Sequence, residues 1–233
     1  MSLFTCLLAV TLSVTAQDQP KDPKLAEILN RMAKAYATCK TYRDTGTARS
    51  VTTRGDKKPF VSESRFTTVF VRPQKLRYEV RHVRWDKREE CVILWRSGQD
   101  VKAWLDGYQP QERQPSITAA VSASQGIFTD AYPYVPAQLF IEEGLVGMNF
   151  TMMLKDAIRL EDAPLEDHLC YRMEVKHGPS LFTVWVDQKT FAVRQLTTVG
   201  TGRDRKYEHT VIFHPVLDGE VTEKDLEYNP PKK

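Results

Sequence analysis

The residues of this chain that could do chemistry are five histidines, four cysteines and a scatter of carboxylates. His82, His168, His177, His209 and His214 fall in no HExxH helix and in no Cys/His cluster of zinc-ligand spacing. His209 and His214 are five residues apart, so an unbroken strand turns them to opposite faces. No G-x-S-x-G segment offers a nucleophile elbow. Gly200-Thr201-Gly202 lacks the following helix that a phosphate-cradling loop requires. Glu142-Glu143 and Glu161-Asp162 are adjacent in sequence, whereas glycoside hydrolysis needs two carboxyls set across a cleft. Trp95, Trp104 and Trp185 suit a sugar platform, a cavity lining or a core equally well. The expectation is therefore no catalytic residue, no metal site, no cofactor and no enzyme. A secreted hydrolase is the remote alternative, to be revived by a cleft that groups a histidine with carboxylates or a hydroxyl.

The cysteines carry the same message. Cys39, Cys91 and Cys170 are too far apart for a redox CxxC pair or a zinc knuckle. An oxidising compartment permits one disulfide among them and leaves a thiol over. All three pairings stay open, as does the reading of three small buried hydrophobes.

The compartment is suggested by the first sixteen residues, which carry no charge. Leu3, Phe4, Leu7, Leu8, Val10, Leu12 and Val14 form an apolar run, and Val14-Thr15-Ala16 offers small-residue cleavage after Ala16. Residues 1–16 read as a secretory signal peptide lacking the usual basic start, which places the rest in the periplasm or otherwise outside the cytosol. A buried N-terminal helix or strand is the alternative. The run is too short to span a bilayer comfortably. A formal charge of +3 is too small to imply a nucleic-acid partner. Arg77, Arg81, Arg84, Lys87 and Arg88 interleave with Glu79, Asp86, Glu89 and Glu90, as on an ion-paired, solvated sheet face. Contact with an anionic membrane surface is the other reading of that stretch.

The elements that must position any site follow from periodicity. Asp22 and Pro23 open a helix that carries Leu25, Ile28, Leu29, Met32 and Tyr36 on one face and ends near Cys39. Strands follow from Tyr42 to Thr53, Ser62 to Val71, Lys75 to Val83, Glu90 to Arg96 and Val101 to Leu105, joined by short turns. That is an antiparallel meander, not a doubly wound parallel fold. The pattern breaks at about 110–154, where short helices and the apolar run Leu145 to Leu154 predict a helical insert. Further strands are predicted from Ala157 to Glu161, His168 to Lys176, Leu181 to Val186, Phe191 to Val199 and Arg205 to Phe213, with a last short edge strand in 226–231. No linker divides residues 17–233, so one domain is expected.

Several stretches resemble the bacterial periplasmic lipoprotein-carrier and outer-membrane lipoprotein-sorting superfamily. ILNRMAKAYATCKTYRDTG (28–46) is similar to its opening helix and first strand. FTTVFVRPQKLRYEV (66–80) is similar to its paired strands joined at Arg-Pro. LFTVWVDQKTFAVRQL (181–196) is similar to its W-x-D strand and return, and YNPP (228–231) to its end. The resemblance implies an α+β fold, in which a strongly curved antiparallel sheet forms an incomplete β-barrel with helices over the concave side. It implies binding or transport of a hydrophobic ligand, such as a lipid or a lipoprotein acyl chain, and transfers no catalytic residue. The candidate lining, chosen for bulk and strand position, is Phe66, Phe70, Trp95, Trp104, Phe150, Met152 and Trp185. Expected partners are a lipid or acylated lipoprotein, with transient membrane contact. The alternative is an envelope signalling or assembly protein that binds a protein partner.

Overall fold

The computed structural model describes residues 23–83, 88–106, 113–120, 150–202 and 204–231. Helix α1 runs from Pro23 to Thr38 and buries Leu25, Ile28, Leu29, Met32 and Tyr36, the predicted stripe. Its last carbonyls are satisfied from outside the helix. Arg72 donates to the Tyr36 oxygen at 2.6 Å and to the Cys39 oxygen at 2.9 Å.

The strands are β1 (Thr41–Arg54), β2 (Phe60–Val71), β3 (Lys75–Val83), β4 (Glu89–Ser97) and β5 (Asp100–Leu105), then β6 (Ile158–Leu165), β7 (His168–His177), β8 (Ser180–Asp187), β9 (Val193–Thr201), β10 (Arg205–Phe213) and β11 (Val216–Leu217). They form one open antiparallel sheet in the order β5-β4-β3-β2-β1-β10-β9-β8-β7-β6, with β11 added to β1. The two meanders therefore meet at β1 and β10, and β5 and β6 are the edges. Within the insert, a helical turn covers 117–120 and helix α2 spans Phe150–Leu154. The leader at residues 1–16 and most of the insert lie outside the described residues.

Two elements differ from the sequence reading. The first is β6, which continues past Glu161 as far as Leu165, with a register shift between Leu160 and Ala163. Pro164 is tolerated because β6 is an edge strand, whose free side needs no amide donor. The second is the tail. In place of a last edge strand, Glu223–Leu226 forms a 3-10 turn held by a capping box between Thr222 and Asp225.

Strand register fixes the two faces. Tyr42, Asp44, Gly46, Ala48 and Ser50 of β1 pair with Phe70, Thr68, Phe66, Ser64 and Ser62 of β2, and paired residues share a face. The same face continues through Leu76, Tyr78 and Val80 on β3, Val92 and Leu94 on β4, and Val101 and Ala103 on β5. On the other side it continues through Phe213 and Val211, Leu196, Val184 and Phe182, then Met173 and Val175. These residues form one buried cluster with the stripe of α1, with Ile117 and Ala120, and with Phe150, Met153 and Leu154 of α2. This is the core face of the sheet.

Candidate functional site: the core face

The core face is largely apolar, with one buried polar group at the junction of α1 with the sheet and a second set of polar groups toward the far ends of β1, β2, β3 and β10. Beside α1 lie Tyr42, Phe70 and Leu76, then Phe66, Tyr78 and Phe213. The Phe66 ring sits 5.5 Å from Phe213 in an edge-on contact and 6.3 Å from Tyr78. Further along the same strands come hydroxyls and imidazoles. Ser50 Oγ and His209 Nδ1 are 2.9 Å apart, and Ser64 Oγ and His82 Nδ1 are 3.0 Å apart. The Tyr207 ring stacks on His209 at 5.0 Å, and its hydroxyl lies 2.7 Å from Ser180 Oγ. Thr198, Phe182 and Val175 continue the row of Ser50 and His209 across β9, β8 and β7.

The candidate lining residues divide between the two faces. Phe66, Phe70 and Phe150 are all buried in the core cluster. Trp95, Trp104 and Trp185 point to the opposite face and cannot line the same surface as the three phenylalanines. The reason is strand parity, since neighbours along a strand alternate faces. Leu94, Arg96 and Ala103 register with the core-face residues, while Trp95 and Trp104 fall between them. Trp95 donates from Nε1 to the Leu226 oxygen at 2.6 Å and packs 5.9 Å from Tyr228, so it clamps the C-terminal tail. Trp104 donates to Asp106 at 3.0 Å, and the Arg172 guanidinium lies 4.5 Å over Trp185. Met152 is 61% exposed on α2.

The polar anchor of α1 was not among the predicted residues. Tyr36 Oη accepts from the Val193 amide at 3.0 Å and shares a hydrogen bond with Tyr42. Tyr42 donates to Asp44 Oδ2 at 3.0 Å, and the His214 amide donates to Asp44 Oδ1 at 2.8 Å. Burial raises the Asp44 carboxyl to about 7, against the opposing pull of those two donors and of the Arg194 charge. The only advance signal was a tyrosine and an aspartate two apart on a strand with few apolar residues.

Asp187, the acid of the W-x-D stretch, is a turn anchor. Its Oδ1 accepts from the Lys189 and Thr190 amides at 2.8 Å each, and its Oδ2 meets His168 at 2.7 Å and Arg194 at 3.4 Å. Burial alone would raise its pKa. The Thr190 and Lys189 amides and the Arg194 charge outweigh that and hold it below the ordinary carboxylate value. Among the described residues no three His, Cys, Asp or Glu side chains gather as a metal site.

Cys39, Cys91 and Cys170 are buried and free. Burial pushes the Cys91 thiol to about 12 and the Cys170 thiol to about 11, and it raises Cys39. The thiolate is the reacting form, so these sulfurs should be inert while the fold holds. Ellman titration of a Cys6→Ser chain at pH 8 should find no fast-reacting thiol before denaturation and all three afterwards. Rapid native reaction, or a missing thiol after denaturation, would contradict the three buried free thiols.

A concavity of about 650 Å³ lies beneath the C-terminal tail on the opposite face. Arg43, Arg77, His214, Lys224 and Asn229 are among the residues that line it. Arg77 donates to Asn229 Oδ1 and the Glu227 oxygen, and Arg43 donates to the Glu220 oxygen, so both arginines hold the tail.

No family model and no curated protein matches the chain. Among solved structures it is similar to the Pseudomonas aeruginosa MucA/MucB complex at 13% identity and a TM-score of 0.45, covering 88% of this chain and 61% of that one. It is similar to LprF from Mycobacterium bovis at 10% identity and a TM-score of 0.44, covering 88% and 97%. It is also similar to a LolA superfamily protein from Nitrosomonas europaea at 10% identity and a TM-score of 0.36, covering 86% and 96%. The chain thus spans less than two thirds of the matched MucA/MucB chain.

Proposed function

We propose that this chain is an extracytoplasmic binder or carrier of an acyl-bearing amphiphile, held against the core face of a sheet that curls into a half-barrel. The observation that supports this reading is the segregation of that one face. Along β2, β3 and β10 the apolar Phe66, Val80 and Phe213 give way to Ser64, His82, His209 and Tyr207, while Met173, Val175, Phe182 and Val184 keep β7 and β8 apolar across the same rows. An acyl chain replaces water along the apolar rows at about 0.8 kcal/mol per buried methylene. The hydroxyls and imidazoles offer donors and acceptors to a head group. The uncharged residues 1–16 support the extracytoplasmic placement.

Catalysis is no part of the proposal. Ser50 and Ser64 lie within interior strands whose amides are engaged in ladders on both sides, so neither serine has free backbone donors for an oxyanion. Uptake of a fluorescent fatty acid, displaced by an unlabelled one and lost on unfolding in urea, is the expected result. A folded protein that takes up no acyl probe would overturn the reading.

A further inference from the structure

We propose that the end of the sheet remote from the α1–β1 junction docks on an anionic lipid surface. Here the β1–β2 turn and the β9–β10 turn lie side by side, with the Gly55 amide donating to the Asp204 oxygen at 3.1 Å. Arg54 is registered directly opposite Arg205, and Thr53 opposite Lys206. Arg54, Lys57, Lys58, Arg205 and Lys206 are exposed, and none forms an ion pair among the described residues. Asp56 and Asp204 are the carboxylates within these turns. Like charges directly opposite each other weaken a strand pair, and these five cations against the two carboxylates leave this end of the sheet net positive.

Exposed apolar side chains share that end. Phe60 and Val61, immediately after Lys57-Lys58-Pro59, are 49% and 46% exposed. Leu181 and Val199, registered partners on β8 and β9, are 40% and 47% exposed, and Val83 at the end of β3 is 54% exposed. Cations beside protruding apolar groups are the composition of an interfacial membrane contact, in which lysine and arginine meet anionic head groups and the apolar groups enter the acyl boundary. The proposal stands whatever the core face holds.

The test is flotation of the full chain with vesicles of phosphatidylcholine alone or with about a third phosphatidylglycerol, at about 50 mM and about 500 mM salt. Binding should require phosphatidylglycerol and weaken at high salt. The combined Lys57→Glu, Lys58→Glu and Arg205→Glu variant should bind at least about twentyfold more weakly. Phe60→Ser should weaken binding severalfold at either salt concentration. Far-UV circular dichroism should be unchanged in both, because every substituted residue is exposed. Equal binding to both vesicle types would overturn the proposal and trace the contact to uncharged residues 1–16. Full retention by the triple variant would overturn it too, as would capture of acidic polypeptide without any vesicle binding.

Discussion

Replacing Asp44 with asparagine should flatten the pH dependence of stability between about pH 4 and about pH 7. Asp44 is 3% exposed, and its carboxyl is raised from 3.8 to about 7. The folded state holds this proton more tightly than the unfolded state does. The group's contribution is therefore full below about pH 4 and is lost as pH rises through about 7, beyond which it is flat. A shift of about three pH units corresponds to about 4 kcal/mol. The asparagine keeps an oxygen for the His214 amide and carries no charge. Urea unfolding at pH 5 and pH 8 should show Asp44→Asn more stable than the parent at pH 8, with most of that gain gone at pH 5. A parallel pair of pH profiles would contradict a buried proton at this carboxyl.

Gly46→Ala should be among the most damaging single substitutions, costing about 3 kcal/mol or more. Gly46 lies mid-strand in β1, and the Phe66 ring lies over it. An added methyl would enter the space of that ring and meet the Ile212 carbonyl, which belongs to backbone and cannot swing aside. Displacing Phe66 would also disturb its packing on Phe213 and Tyr78. Adding Phe66→Ala should relieve only part of the loss, since the carbonyl stays in place. A urea midpoint shift equivalent to less than about 1 kcal/mol would show that the site has room.

These two positions also show where the sequence was opaque. α1 was legible because five apolar residues recur at helical spacing, and β3 because Leu76, Tyr78 and Val80 alternate with charges. The span of β1 was legible too, but its buried face was not, because that face is built from Tyr42, Asp44, Gly46, Ala48 and Ser50. Small and polar residues serve there because α1 and Phe66 supply the bulk, and that depends on tertiary packing. The tryptophans misled for the opposite reason. Their size suggests a cavity wall, yet strand parity turns Trp95, Trp104 and Trp185 away from Phe66. Parity could be counted in advance, but which parity faces the helix depended on contacts between elements far apart in sequence. The tail differs because side chains rather than a strand ladder hold it, Trp95 at the Leu226 oxygen and Arg77 at the Glu227 oxygen and Asn229.

Native mass spectrometry of the protein purified from an envelope extract asks whether the core face holds an acyl-bearing ligand. The expected spectrum shows a stoichiometric added mass that denaturation releases and lipid extraction identifies as acyl-bearing. A protein that stays empty, even after incubation with candidate lipids and lipopeptides, would contradict it and turn the search toward protein partners.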